Sequence, residues 1–222
     1  MEKKGDVEVH IEDHYGDLSD NVTSKKRNPN KRGPSGFVEI YDVDENGDKQ
    51  LVGKHNLVVY RGREVVACHM LGKDNTSLSS GASSAEYICW LGVGSGGVSS
   101  GDPLEPIAPQ NDDLNLVSEI PMNSADAHCG DYRGGFYYKR PFDSVQYDPD
   151  YDNNDAWLVA RIMSTVSIFD ANGYNISEAG LFTAVSNAGQ HSGHFTLFAR
   201  VTFPAIVKTS ARQLVFVWYL YF

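Results

Sequence analysis

The clearest indication of the fold is the stretch of nine residues from Leu214 to Phe222, LVFVWYLYF. It contains no glycine, proline or charge, which is typical of a buried β-strand. Successive side chains of a β-strand point to opposite faces, so Trp218 and Phe222 lie on one face and Tyr219 on the other. Both faces are then apolar. A strand of this kind must be covered on both sides, by its own domain or by a neighbouring subunit. We therefore expect this stretch to complete a sheet or to be sealed by assembly.

The composition is that of a water-soluble chain large enough for a single β-rich domain with an arm. The chain has 222 residues, 41% of them hydrophobic, and a formal net charge of −10. Its apolar runs are shorter than the roughly 18 to 20 residues that a membrane helix needs. The N-terminus lacks the apolar stretch of a signal peptide. We expect synthesis in the cytoplasm and no membrane partner.

Residues 1–36 are polar and irregular, which predicts a flexible N-terminal arm and linker. The segment from Lys25 to Arg32 carries five positive charges, including Lys25, Lys26 and Arg27. Such a segment could contact nucleic acid or an acidic protein surface. No aromatic residues interleave the basic ones, which favours a solvated arm or one that clasps a neighbouring subunit.

Residues 37–222 predict a mainly β domain, an antiparallel β-sandwich with one short helix and long loops. A hairpin is expected at 37–52, where Asn46-Gly47 supplies the turn, and the helix at 62–71. The remaining strands are predicted at 56–60, 87–93, 157–168, 174–185, 195–203 and 214–222. Between the strands at 87–93 and 157–168, residues from about 94 to 155 are predicted to form a long loop insertion.

The glycine-rich stretch Gly92 to Gly97 matches the spacing GxGxxG after a strand. A dinucleotide site also needs a helix that starts at those glycines and aims its amides at pyrophosphate. Pro103 and Pro106 follow closely and oppose a helix, so a flexible turn is favoured. No GxSxG elbow marks a nucleophile. We expect no cofactor, no catalytic residue and no enzyme.

Two acidic stretches raise the question of a metal site. Asp42 to Asp48 opens like an EF-hand loop, but its twelfth position is Gly53, so a hairpin turn is favoured. A second loop crowds four acidic residues that a calcium ion could hold, although a solvated loop is the simpler interpretation: Asp148, Asp150, Asp152 and Asp155. His191 and His194 could supply two metal ligands, but further ligands are not evident.

Three cysteines without CxxC spacing are typical of free thiols in a reducing compartment. Cys68 and Cys89 have apolar neighbours, so we expect them in the core. Cys129 lies in a polar loop sequence, where we expect it to be exposed and able to cross-link subunits.

A family resemblance rests on an ordered series of segments: Asn56–Val66, Tyr87–Gly97, Asp102–Leu104, Ile176–Phe182 (ISEAGLF), Leu197–Phe203 (LFARVTF), Ile206–Ser210 and Leu214–Phe222. This series resembles the β-rich structural proteins of tailed bacteriophage virions, found in tail, neck or collar, and baseplate regions. The resemblance implies a non-enzymatic virion protein that assembles as a symmetric oligomer.

Glu178 and Arg200 are expected to have a structural role. Glu178 lies just before Ala179-Gly180, where a bulge or a close backbone approach is expected. Its carboxylate could accept hydrogen bonds from backbone amides or from Arg200. Breaking such a pair would cost about 3 to 5 kcal/mol if it is buried and almost nothing if it is exposed. We expect a partly buried pair.

The expected partners are copies of the chain and other virion proteins, with nucleic acid contacted only where the protein lines a channel. Interface residues are expected in the arm and the terminal strand, among them Trp218, Tyr219 and Phe222. The alternative is a receptor- or carbohydrate-binding module of a tail fibre. Its sugar platform would be formed by loop tyrosines: Tyr132, Tyr137, Tyr138, Tyr147 and Tyr151.

Overall fold

The computed structural model describes residues 35–53, 57–71, 87–123, 129–148, 159–184, 191–192 and 195–221. These residues belong to one compact unit, Pro34–Phe222. The predicted arm, with Lys25, Lys26 and Arg27, lies outside the described residues, and so does Phe222.

The described residues form fourteen strands and one helix, α1 at Tyr60–Leu71. The strands are β1 Ser35–Val43, β2 Lys49–Gly53, β3 Leu57–Val58, β4 Tyr87–Gly94, β5 Val98–Ser99, β6 Asp102–Pro106, β7 Cys129–Tyr132, β8 Gly135–Pro141, β9 Ser144–Asp148, β10 Val159–Val166, β11 Asn175–Ala184, β12 His191–Ser192, β13 Thr196–Val207 and β14 Gln213–Tyr221.

Two packed sheets and a small ribbon contain these strands, which confirms the predicted mainly β fold. The five-stranded sheet has the order β2-β1-β14-β10-β9, and the seven-stranded sheet has the order β12-β7-β8-β4-β11-β13-β3. Strands β5 and β6 form the ribbon. Neighbouring strands are antiparallel except for β7 and β12, which are parallel.

Strand β14 occupies the centre of the five-stranded sheet, and this position explains why its sequence is apolar on both faces. Its neighbours are β1 and β10, with Trp218 opposite Val38 and Ile162. Trp218 and Phe216 are fully buried in the core between the sheets. The ring of Phe216 lies 6.0 Å from that of Phe203 in the other sheet.

The opposite face of β14 is closed by side chains from the same sheet. Val217 and Tyr219 are 5% and 6% exposed. The ring of Phe37 stacks on Tyr219 with 4.4 Å between their centroids. Glu39 is also buried on this face and accepts a hydrogen bond of 2.8 Å from the Tyr41 hydroxyl.

Helix α1 packs on β13, and a glycine makes this close approach possible. A Cβ atom at Gly62 would lie 2.3 Å from the carbonyl oxygen of Phe198. The helix begins two residues before the predicted start, at Tyr60, whose amide donates to the Asn111 carbonyl. Val65 is buried as expected.

The prediction of a long loop at about 94–155 is only partly right, because nearly half of the described residues in this range lie in strands. Strands β5 to β9 lie within that range, and β8 pairs directly with β4. The range is rich in proline, glycine and acidic residues, which favoured loops by composition. Short strands form here because each has a partner strand elsewhere in the chain, and composition does not reveal such pairing.

Two further details differ from the sequence predictions. Cys129 begins β7 and is 3% exposed, so the expectation of an exposed thiol is wrong; Cys89 is buried as predicted. In the first hairpin, Gly47 has a positive φ of 85°, but Asn46 does not. The longer turn is instead fixed by the Asp44 carboxylate, which accepts from the amides of Asn46 and Asp48.

Candidate functional site

Charged side chains gather on the outer face of the seven-stranded sheet, on the side away from the main core. Gly94 of β4 pairs with Glu178 on one side and with Glu119 on the other, and Gly92 pairs with Lys139. Residues two apart on a strand share a face. The register therefore brings these three charged residues to one surface of the sheet.

A segment of chain that we call the strap, residues 107–122, lies against this charged face. The Ile107 amide donates to the Gly97 carbonyl at 2.8 Å, and the Ser95 amide to the Ser118 carbonyl at 2.7 Å. Farther along, the Ile120 amide donates to Val93 and its carbonyl accepts from the Tyr138 amide. Residues 118–120 thus lie between the diverging ends of β4 and β8.

Glu178 anchors the strap through hydrogen bonds to both of its carboxylate oxygens. Oε1 accepts from the amides of Gly96 at 3.0 Å and Ser118 at 2.8 Å, and Oε2 accepts from Val117 at 3.1 Å. Oε2 also accepts from Arg200, from Nε at 3.0 Å and from an Nη atom at 2.7 Å. Backbone amides and the arginine, which the sequence offered as alternatives, are both partners.

Arg200 joins this carboxylate to a second one on the strap. Its other Nη atom donates to Asp113 at 2.7 Å. The Glu178 side chain is fully buried and that of Arg200 is 3% exposed, so the pair is more buried than expected. Two carboxylates around one guanidinium fix the strap by charge-assisted hydrogen bonds.

The predicted glycine turn is present, and its glycines allow the backbone to approach Glu178. A Cβ atom at Gly97 would lie 2.0 Å from the Ser177 carbonyl oxygen. One at Gly96 would lie 2.6 Å from the side chain of Val117. The turn leads into β5 rather than into a helix, so the geometry of a dinucleotide site is not formed.

A second charged cluster joins the strap to β8. The Lys139 ammonium contacts Glu119, whose other oxygen lies 3.5 Å from Arg133. Lys139 is fully buried, with its Nζ atom 4.2 Å from the centre of the Phe182 ring and 5.7 Å from that of Phe195. Burial lowers the pKa of Lys139, and the adjacent Glu119 partly opposes this change.

A second hydrophobic core lies on the same side of the sheet as these clusters. It is separate from the core between the sheets and consists of Val59, Cys89, Trp90, Leu116, Phe182, Ala184, Phe195 and Leu197. Leu116 belongs to the strap and lies next to Val117, whose amide donates to Glu178. The strap is therefore held by apolar packing and by buried charges together.

Outward from these anchors, the ribbon and strap carry large apolar side chains in contact with solvent. We call these residues the exposed apolar set: Leu104, Ile107, Leu114 and Val117, which are 71%, 48%, 49% and 69% exposed. A separate group near the β10–β11 turn consists of Ile168, Phe169, Tyr174 and Val207. Exposed apolar side chains that form a contiguous patch are typical of protein interaction sites.

The acidic loop predicted as a possible calcium site falls mostly outside the described residues. The backbone of Asp148 ends β9 opposite Val159, while Asp150, Asp152 and Asp155 are not described. Within the described part of the chain, no group of three or more His, Cys, Asp or Glu residues is arranged to hold a metal ion. His191 lies in β12, and His194 is outside the described residues.

The proposed sugar platform of tyrosines does not form where the described residues can test it. Tyr138 is fully buried, which makes that prediction wrong for this residue, and Tyr137 packs against the second core. Tyr147 is 66% exposed on strand β9. The side chain of Tyr132 and all of Tyr151 lie outside the description.

Sequence reasoning found Glu178 and Arg200 but missed the roles of Lys139, Glu119 and Asp113. Lys139 is one of few basic residues in an acid-rich stretch, and this scarcity was the available signal. A lysine is rarely fully buried without a paired polar or charged group. The identity of that partner depends on strand register, which local sequence does not specify.

Comparisons with known proteins do not assign this chain to a family. No protein-family model matches it, and searches of curated proteins and of solved structures also return no match. Among the described residues, no helix is both long and apolar enough to cross a membrane.

Proposed function

We propose that the protein is a non-enzymatic structural component of a tailed-phage virion, in the tail, neck or collar, or baseplate. In this proposal it assembles as a symmetric oligomer and binds other virion proteins through its sandwich surfaces, loops and arm. The sequence resemblance supplies the virion class. Support for an assembly role comes from the physical character of the strap.

The observation that carries the proposal is the exposed apolar set of the ribbon and strap, together with the buried ion pair of Glu178 and Arg200 that anchors the strap. Charged residues on this side of the sheet bond to the strap: Glu178 accepts from two strap amides and from Arg200. Their hydrogen-bonding capacity is used to position the strap. The side chains that the ribbon and strap present to solvent include Leu104 and Val117, which suit a protein partner.

Light scattering coupled to size-exclusion chromatography tests the assembly role on the full chain. We expect a mass that is a multiple of the 24.5 kDa chain, alone or with co-expressed virion proteins. Leu104→Asp combined with Val117→Asp places two charges in the exposed apolar set and should abolish this assembly. Val207→Asp is the matched control, because it charges an exposed apolar side chain in the separate group.

Location in the virion is tested by electron microscopy of phage particles that carry a label on this chain. Label in rings at the tail, neck or baseplate supports the proposal. Unlabelled particles together with a monomeric protein would contradict it. Binding to a glycan array by the monomer would favour the receptor-binding alternative, for which Tyr147 is the exposed tyrosine among the described candidates.

A further inference from the structure

The contact between Lys139 and Glu119 differs from an ordinary ion pair because both side chains are sealed from water. Their exposed fractions are 0% and 1%. The Nζ atom lies over the ring of Phe182, with Phe195 nearby. An amine and a carboxyl group therefore meet in an almost dry, largely aromatic environment.

Strand register holds these two groups together. Lys139 pairs with Gly92 and Glu119 with Gly94, so both project from consecutive same-face positions along one edge of β4. Glycines make room for the lysine: a Cβ atom at Gly92 would lie 3.1 Å from Nζ, and one at Gly130 would lie 2.6 Å from Cγ. The backbone thus confines the lysine side chain on two sides.

We propose that Lys139 and Glu119 condense to form an isopeptide bond, a side-chain amide that links β8 covalently to the strap. This inference goes beyond the proposed assembly role and does not depend on it. The bond would close a covalent ring through residues 119–139.

The reaction balances without any oxidant, reductant or cofactor. A proton first passes from the ammonium to the carboxylate, which gives a neutral amine and a carboxylic acid. The amine lone pair attacks Cδ of Glu119, a C–N bond forms, and negative charge develops on Oε1. The hydroxyl at Oε2, which contacts Nζ, then takes a proton from the nitrogen, and the C–O bond breaks to release one water molecule.

Surrounding groups favour each of these steps. Burial lowers the pKa of Lys139, which favours the neutral amine that the attack requires. Arg133 lies 3.5 Å from Oε1 and is placed to stabilise the developing oxyanion. Groups held in reacting geometry reach effective molarities of about 10⁵ to 10⁸ M, which strongly favours the intramolecular reaction.

The product also suits the site better than the two free groups. Burying an ammonium and a carboxylate carries a large desolvation cost, and condensation removes both ionisable groups. The resulting amide N–H can remain over the Phe182 ring, where a weak N–H···π contact is favourable.

Intact mass spectrometry of the denatured full-length chain tests the proposal. We expect the purified protein to be lighter than its sequence mass by one water molecule. After trypsin digestion, the peptide that contains Glu119 should remain joined to the peptide that contains Lys139. Lys139→Met should restore the sequence mass and separate the peptides.

Lys208→Met is the matched control. Lys208 is also fully buried, but its Nζ atom donates to Asn172 at 3.0 Å and to the Thr209 carbonyl at 2.9 Å. This variant should keep the loss of water. The mass resolution must separate water from ammonia, because the Asn-Gly sequences at 46–47 and 172–173 can lose ammonia.

Two results would overturn the inference. One is a wild-type chain that stays at its sequence mass after prolonged incubation of the folded protein at neutral pH. The other is a loss of water that persists in Lys139→Met, since the modification would then involve other residues.

Discussion

The outer faces of the two sheets are closed in different ways. The seven-stranded sheet is covered by the backbone of the strap, which is anchored on Glu178 and Lys139. The five-stranded sheet is closed by its own side chains, with Phe37 stacked on Tyr219 beside Val217. Buried backbone brings amides that must be hydrogen-bonded, whereas aromatic side chains need only contact. A sheet face that is covered by backbone therefore needs buried charged side chains to bond the amides, and glycines that let the backbone approach closely.

The largest expected effect comes from removing the strap's main anchor. Glu178→Ala leaves Arg200 buried without this carboxylate and leaves three backbone amides without their acceptor. We expect the free energy of unfolding to fall by about 3 to 5 kcal/mol. Urea denaturation measures the loss, with the exposed Glu45→Ala as control. A loss below about 1 kcal/mol would show that the strap does not depend on this anchor.

A smaller loss of stability is expected when a side-chain atom is added where the glycine turn packs against β11. Gly97→Ala places a Cβ atom 2.0 Å from the Ser177 carbonyl oxygen, so the backbone must shift. Overpacking of this kind typically costs about 1 to 3 kcal/mol. Gly101→Ala is the matched control, because no atom lies within 4 Å of its Cβ position. Equal urea midpoints for the two variants would contradict the tight approach.

The aromatic face of the five-stranded sheet should respond to alkaline pH. Burial and the nearby Tyr219 raise the pKa of Tyr221 to about 12 from 10.0. Because the folded pKa is above the unfolded value, the contribution of Tyr221 to stability is complete below pH 10 and is lost as the pH rises through about 12. The melting temperature, followed across this range, should fall less steeply in Tyr221→Phe. Tyr147→Phe, on an exposed ring, should behave as wild type.

The smallest effect is expected for an ion pair between the end of β1 and the turn that precedes β14. Arg212 donates to Asp42 at 2.9 Å, but the arginine side chain is 47% exposed. Arg212→Ala should therefore cost about 0 to 1 kcal/mol. In the same urea assay, a loss of unfolding free energy as large as that of Glu178→Ala would contradict this expectation. It would show that the cost of removing an ion pair does not depend on how deeply the pair is buried.

The apolar part of the fold was predictable from local sequence. Short apolar stretches located β1, β4, β10, β11, β13 and β14 within a few residues; in β10 the burial alternates, as expected for a strand with one buried face. The double apolar pattern of residues 214–222 indicated burial on both faces, although it did not show that β14 is central. The five short strands at 98–148 were missed because their proline-, glycine- and acid-rich composition resembles that of loops, although β5 pairs with β6, β7 with β8, and β9 with β10.

The charged clusters on the outer face of the seven-stranded sheet were only partly predictable from the sequence. Glu178 was found because it lies just before Ala179-Gly180, where a close backbone approach is expected, and Arg200 was named as one possible partner of its carboxylate. Asp113 was missed because it lies in irregular chain, 87 residues before Arg200. Lys139 and Glu119 meet only because both pair with β4, at Gly92 and Gly94. Such pairing is a property of the whole sheet.

The central position of β14 also constrains how the chain folds. Its neighbours β1 and β10 are made earlier during translation, yet each keeps one edge without a partner until residues 213–221 emerge. Contacts this distant in sequence form slowly, and open strand edges can pair with other chains in the meantime. The nascent protein is therefore most prone to aggregation just before its middle strand arrives.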